Sequence, residues 1–225
     1  MIKVALITPG YFHHKKYLFE LKKICESHID VFLYKPKKVR INKDIFTSLR
    51  LKYEEREYRN SYKNNKFTCH SIFKNLNEIN FNDWSIYKYV FIYGLPKLSA
   101  KNIKTIGENK IFNQHGAILP NIRGLDSEYW SISKGDFKSV GVTLHKLTEK
   151  LDQGDIFEKK VLTNLSRKIW EIRWQKSYYH ALLASKLINS EKVGYKKNIL
   201  KKGIYRSKAP LLIKIISLVR CFLKV

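Results

Sequence analysis

The chain has 225 residues, of which 44% are hydrophobic, enough for one domain with a real core and too apolar for wholesale disorder. Its formal net charge of +25 and pI near 9.9 favour an anionic partner, whether nucleotide, nucleic acid or membrane surface, unless they reflect only a lysine-rich proteome. Cys25, Cys69 and Cys221 are scattered without metal-ligand spacing; an odd count with a strand pattern starting at Met1-Ile2-Lys3-Val4 predicts a reducing, cytoplasmic setting with no targeting segment ahead of the fold.

Ile2 to Ile7 is a continuous apolar run closed by Thr8-Pro9-Gly10, the pattern of a strand buried on both faces. Tyr17, Leu18, Leu21, Ile24 and Cys25 recur at helical spacing, and Ile29 to Tyr34 reads as a second strand. A βαβ start of this kind predicts an α/β protein with a Rossmann-like, mostly parallel twisted sheet flanked by helices. No G-x-G-x-x-G follows the first strand, so a dinucleotide in the usual mode is not expected. The intervening loop, Tyr11-Phe12-His13-His14-Lys15-Lys16, is either a phosphate contact near a helix N-terminus or a solvated basic turn.

Lys35 to Lys66 is polar, basic and tyrosine-rich. It predicts a charged surface helix held by Glu–Arg and Glu–Lys neighbours, or a base-stacking face built on Tyr53, Tyr58 and Tyr62. Tyr89 to Gly94 is the clearest central strand, and Ser99 suits the cap of a following helix. Ile111 to Asn113 gives the next strand, Leu125 to Ser133 a short helix, Val140 to Leu147 a half-buried strand, and Asp155 to Leu162 a strand at the sheet edge. Ser166 to Ile188 predicts a long helix with Trp170, Trp174, Tyr178, Ala181, Ser185 and Ile188 on its packing stripe.

Lys192 to Ser207 reads as a basic connector. The last element, Pro210 to Val225, sets Lys214, Ser217, Arg220 and Lys224 on a narrow arc of an otherwise apolar helix. It is too short to span a bilayer. It suits either a membrane interface, with its cations at anionic headgroups, or docking onto its own domain or a second subunit. The chain thus divides into a catalytic domain at 1–165 and a helix, connector and amphipathic helical tail at 166–225.

The chemistry is concentrated between Asn113 and Ile156. Asn113 and His115 stand two apart after an apolar strand end, so in extended backbone they share a face. Asp152 lies in Leu151-Asp152-Gln153-Gly154-Asp155-Ile156, where Gly154 permits a tight path. An imidazole that exchanges protons near neutrality, a carboxylate that orients it and an amide that holds a developing oxyanion suit attack by an external nucleophile on a carbonyl.

The spaced pattern N-x-H-x-x-x-L-P-x-x-R-G, then G-V-T-x-H, then L-D-x-G-D-I closely resembles the folate-dependent formyltransferases, which include methionyl-tRNA, glycinamide ribonucleotide and nucleotide-amino-sugar enzymes. The likeness is strong from Asn113 to Ile156 and weaker, though in register, back to Met1. Gly116-Ala117 stands where many members carry Pro-Ser, which alters the loop after the histidine and leaves the triad intact.

The resemblance implies 10-formyltetrahydrofolate as donor, an amine as acceptor, and Asn113, His115 and Asp152 as the catalytic set. It further implies a folate pocket at Tyr93, Gly94, Leu95, Pro96 and Leu151, and acceptor contacts from the first loop, at Tyr11, His13, His14 and Lys15. His145, within G-V-T-x-H, is expected to be a sheet residue near the site. That loop lacks the Gly-Ser-rich phosphate turn of the glycinamide ribonucleotide enzymes. The residues after Lys160 read as helix, connector and tail, not as the β-barrel of the tRNA enzymes. A nucleotide-linked amino-sugar used in surface glycan synthesis is therefore the expected acceptor. A methionyl-tRNA-type enzyme without its usual C-terminal domain, and a non-catalytic basic module for membranes or nucleic acid, remain the alternatives. A homodimer and a peripheral position at the inner membrane face are compatible with this reading.

Overall fold

A computed structural model describes residues 1–36, 44–198 and 204–223. β1 (Lys3–Thr8), α1 (Phe12–Ile24) and β2 (His28–Tyr34) form the expected βαβ start, with β1 and β2 parallel. α2 (Ile45–Tyr62) leads to the short β3 (Ser71–Phe73). β4 (Tyr89–Ile92), α3 (Ala100–Ile106) and β5 (Ile111–His115) follow, and Ser99 caps α3 by accepting from the Asn102 amide at 3.2 Å. Then come β6 (Ile122–Gly124), α4 (Ser127–Ser133), β7 (Gly141–Lys146), β8 (Ile156–Val161), α5 (Ile172–Ile188), β9 (Ile204–Arg206) and α6 (Leu211–Leu223).

The main sheet runs β3-β2-β1-β4-β5-β7-β8, with β6 and β9 paired apart from it. Pairings are parallel from β3 to β5 and antiparallel from β5 to β8. The continuous apolar runs follow from this layering: Val4–Ile7 and Val90–Ile92 are buried on both sides. One face packs Val4, Leu6 and Phe91 against Tyr17, Leu18 and Leu21 of α1 and Ala181, Ala184 and Leu187 of α5. The other packs Ala5, Ile7 and Val90 against Ile103 and Ile106 of α3. α5 therefore belongs to the same core as the first strands.

Three expectations shift. The helix predicted from Ser166 starts at Ile172, after a 3-10 turn at Ile169–Glu171. Ser166 Oγ instead donates to Glu171 Oε2 at 2.7 Å and accepts from the Lys168 amide at 3.1 Å, a local arrangement that competes with helix. Within α5, Tyr178 is exposed, whereas Lys176, Ser177 and His180 are buried with Ala181 and Ile188, because α1 and β7 cover two sides of the helix. The tyrosines of α2 are packing groups: Tyr62 stacks on Phe19 at 5.3 Å and meets Trp174 edge-on at 6.2 Å. The start of that basic stretch, at 37–43, lies outside the described residues.

α6 is turned the other way from a helix resting its cations on headgroups. Its polar arc faces the body: Lys214 pairs with Asp44, Ser217 Oγ donates to the Tyr129 carbonyl at 2.6 Å, and Arg220 Nη1 donates to the Ser133 carbonyl at 2.7 Å. Lys224 lies outside the described residues. Burial alone pushes the Asp44 carboxyl up, but hydrogen bonds from Lys214 and Thr47 prevail and hold it at about 2.

A depressed carboxylate stabilises the fold fully above its ordinary value of 3.8 and loses that contribution as pH falls toward about 2. Asp44→Asn keeps the cap on the Thr47 amide and removes the charge facing Lys214. It is expected to cost about 1.5–3 kcal/mol at neutral pH and to shrink toward nothing at the acid end, measured by denaturant unfolding across pH.

Candidate active site

Strand β5 runs between β4 and β7, with Asn113 opposite Ile92 on one side and His145 on the other. Its alternation sends Asn113 and His115 to one face and Gln114 to the other, where Gln114 Nε2 donates to Tyr17 Oη at 3.0 Å and Oε1 lies 2.9 Å from His180 Nδ1. Asp152 arrives from the loop between β7 and β8 with φ 55°, a left-handed conformation. The three expected residues meet. Asp152 Oδ1 lies 3.2 Å from His115 Nδ1 and accepts from Asn113 Nδ2 at 3.3 Å. Asp152 Oδ2 accepts from the Gly124 amide at 2.8 Å. Asn198 ties down the same loop, its Nδ2 donating to the carbonyls of Asp152 at 3.0 Å and Gly154 at 3.2 Å.

Proton positions follow from these partners. His115 Nε2 lies 3.0 Å from the Ile122 carbonyl, which only accepts, so Nε2 carries hydrogen. The imidazolium form then donates from Nδ1 to Asp152, while the neutral form leaves a lone pair there. His145 Nδ1 lies 2.7 Å from the Lys146 carbonyl and carries hydrogen; its Nε2 accepts from Asn113 Nδ2 at 3.1 Å. Both N–H bonds of Asn113 thus have acceptors, Asp152 and His145. Burial opposes ionisation of Asp152, but His115, facing it at 3.2 Å, outweighs burial and holds the carboxyl well below the usual carboxylate range. His145 is accordingly a member of the cluster. The antiparallel register, together with a bulge between Leu144 and His145, carries it there, and strand alternation alone gives no sign of either.

Gly124 is fixed by geometry. Its φ is +95°, and a Cβ there would sit 2.1 Å from the Arg206 carbonyl oxygen, because β9 runs directly beside β6. Gly124→Ala is expected to destabilise the fold by about 2–4 kcal/mol and to pull the amide off Asp152, read as a lowered thermal midpoint.

The cluster opens onto a cavity of about 320 Å³. Tyr93, Gly94, Leu95, Pro96 and Leu151 all line it, with Ile92, Leu98 and Leu147. Gly94 has φ +77°, and a Cβ on it would press against His14 Cε1 at 2.8 Å. The backbone there forms a cradle that a side chain would fill, beside an apolar wall suited to a flat heterocycle. Tyr11, His13 and His14 also line the cavity.

Their character departs from a basic phosphate turn. His13 and His14 are buried, and burial first, then neighbouring cations for His13 and His13 itself for His14, lowers both well below the ordinary imidazole value. His13 Nδ1 meets Glu54 Oε2 at 2.9 Å, while burial raises the Glu54 carboxyl, so the contact is a hydrogen bond between groups each driven toward neutrality. Lys15 does not line the cavity: its Nζ lies over Phe12, Tyr58 and Phe67. Lys16 lies over Trp174 at 4.7 Å.

An ion network forms the floor. Arg173 Nη2 donates to Glu128 Oε1 at 2.5 Å and to Asp126 Oδ1 at 3.3 Å. Lys176 Nζ donates to Glu128 Oε2 at 3.1 Å and to the Gly116 carbonyl at 2.6 Å. Burial opposes the Glu128 charge, but Arg173 and Lys176 hold its carboxyl well below its ordinary range; burial lowers Lys176 despite Glu128. Leu125-Asp126-Ser127-Glu128 follows Arg123-Gly124 in sequence, and the only sign that it serves the site is this adjacency. Among the described residues no group of three or more His, Cys, Asp or Glu is arranged to hold a metal ion.

Sheet order, helix placement and the cluster at the ends of β4 and β5 define a formyltransferase-like Rossmann fold with a C-terminal helix. Residues 88–168 match the family described as Formyl transferase. The bifunctional polymyxin resistance protein ArnA of Wigglesworthia glossinidia brevipalpis is 36% identical over 112 residues, 48% of this chain and 16% of that protein. The chain therefore matches only a small part of that relative's length.

Two solved structures align over nearly the whole chain. One, a likely sugar N-formyltransferase from Mycobacterium tuberculosis, has a TM-score of 0.64 at 15% identity, covering 98% of this chain and 87% of that one. The other is the N-formyltransferase from Helicobacter canadensis in complex with folinic acid and dTDP-3-aminofucose. It has a TM-score of 0.60 at 17% identity, covering 99% of this chain and 81% of that one. At these identities the likeness is one of fold.

Proposed function

We propose that this protein transfers a formyl group from 10-formyltetrahydrofolate to the primary amine of a nucleotide-linked amino-sugar. The observation that carries the reading is the meeting of Asn113, His115 and Asp152 at one wall of an open cavity whose opposite wall is the Gly94 cradle. Tyr93 to Pro96 and Leu151 would hold the folate, which supplies an activated formyl carbon. Asn113 gives up one of its two acceptors, His145 Nε2, and turns that N–H toward the carbonyl oxygen. His115 holds a proton at Nδ1 against Asp152, and Asp152 keeps the ring oriented. The depressed Asp152 carboxyl suits this role, since it stays ionised while the imidazole exchanges protons.

The floor network matches Arg173 and Lys176 with Asp126 and Glu128, and Arg50 lies beside Glu54 at 3.9 Å. It suits a hydroxyl-bearing sugar better than a diphosphate. The diphosphate belongs at the rim, beside Lys97 and the exposed rings of Tyr11 and Tyr205. Support for the sugar class comes from similar solved structures, which are of sugar N-formyltransferases or a likely one. The test is a panel of nucleotide amino-sugars incubated with donor and analysed by mass spectrometry. A formyl gain on one or more of them is the expected result; no gain on any, from protein that binds 5-formyltetrahydrofolate, refutes the acceptor class.

A further inference from the structure

We propose that α6 docks this protein onto an anionic membrane surface through its outward apolar face. The orientation of the helix is the starting observation. An amphipathic helix on a water-soluble body ordinarily turns its apolar stripe inward. Here Lys214, Ser217 and Cys221 are buried, each with a partner on the body: Asp44, the Tyr129 carbonyl and the Ser166 carbonyl. Arg220 is spent on the Ser133 carbonyl. The opposite face exposes Leu212 by 66%, Ile215 by 45%, Val219 by 50%, Phe222 by 63% and Leu223 by 58%. Leu212, Ile215, Val219 and Phe222 follow one another at three- and four-residue steps, with Leu223 four residues after Val219, and form one stripe.

The manner of attachment decides the geometry. Four side-chain contacts spread over Lys214 to Cys221 hold the helix along the body. It therefore meets any partner side-on. No helix among the described residues is long and apolar enough to cross a membrane; a helix held flat, with apolar side chains on its free side, is suited to lying in the interface plane.

Charge selects the partner. Exposed cations stand on segments that touch α6. Lys134 follows Ser133, Arg167 follows Ser166 with Lys168, which is paired with Glu171 at 3.6 Å, and Lys208 lies just before the helix begins. The whole chain carries a net charge of +25. An anionic lipid surface complements these cations and the charge of the whole chain. A second copy of the chain would bring the same cations and the same net charge against it. The headgroup contacts thus come from the flanks, and the cations of α6 itself are occupied in fixing its orientation.

The experiment is flotation of the full chain with phosphatidylglycerol–phosphatidylcholine vesicles and with phosphatidylcholine vesicles. The expected result is binding to the anionic vesicles, roughly tenfold or more weaker on the neutral ones and weakened by salt. Phe222→Glu and, separately, Val219→Glu are each expected to lower anionic-vesicle partitioning by roughly tenfold, with the thermal unfolding midpoint unchanged because both side chains are exposed.

Protein that stays with the buffer in the presence of anionic vesicles overturns the proposal. So does binding that survives both substitutions, which would be charge adsorption through another face. A dimer in sedimentation velocity that Phe222→Glu dissociates, without vesicle binding, would assign the face to a second copy and overturn it equally.

Discussion

His115→Ala is expected to lower formyl transfer by about 10²–10⁴-fold while leaving the protein folded and able to bind folate. The ring touches both Asp152 and the Ile122 carbonyl, so its loss removes proton exchange and the oriented partner of Asp152 together. Structure is lost only in part, because Asp152 retains the Gly124 amide and Asn113. The unfilled donor to Ile122 costs about 1–3 kcal/mol. Turnover measured beside the thermal midpoint and the folate dissociation constant separates these effects. A variant within a few-fold of wild-type turnover would remove His115 from the chemistry.

Glu128→Gln is expected to cost about 3–5 kcal/mol of stability. Glu128 is buried, with Arg173 on one oxygen and Lys176 on the other. Glutamine keeps the size and one acceptor but removes the charge that both cations face. Arg173 retains Asp126 at 3.3 Å, whereas Lys176, equally buried, keeps only the Gly116 carbonyl among the contacts described above. Lys176 is then expected to shed its proton more readily, so the cost falls at alkaline pH, where Lys176 gives up its charge, and also at the acid end, where Glu128 of the unaltered protein is itself protonated. Chemical denaturation of Glu128→Gln and of the double variant Glu128→Gln, Lys176→Met measures this directly. Partial recovery in the double variant is expected, and its absence would show that the carboxylate acts through something other than the cation pairing.

Much of this arrangement could be read in advance, for definite reasons. Val4–Ile7 and Tyr89–Ile92 announce themselves because strands covered on both faces must be apolar throughout. Asn113 and His115 announce a shared face because strand period is two. β3, β6 and β9 are three residues long, shorter than any periodicity can register, so the ladder that excludes a side chain from Gly124 was not foreseeable. The place of His145 depends on which strands pair and in what register, a long-range choice that strand alternation does not encode.

α6 shows a different limit. Periodicity groups Lys214, Ser217 and Arg220 on one arc, yet says nothing of which side of the helix meets the body. Asp44 and the carbonyls of Tyr129 and Ser133 decide that. Likewise His13 and His14 looked like cations on a turn, and burial made them neutral walls.

The hold of the segment after α5 on the Asp152 loop has a consequence for anyone recombining these proteins. β9 lies on β6, and the Asn198 amide grips the carbonyls of Asp152 and Gly154. A chimaera that grafts a foreign segment after α5 inherits a correctly spelled triad but no brace for it. To work, the donor segment must bring its own short strand for Ile122–Gly124 and an amide at the position of Asn198.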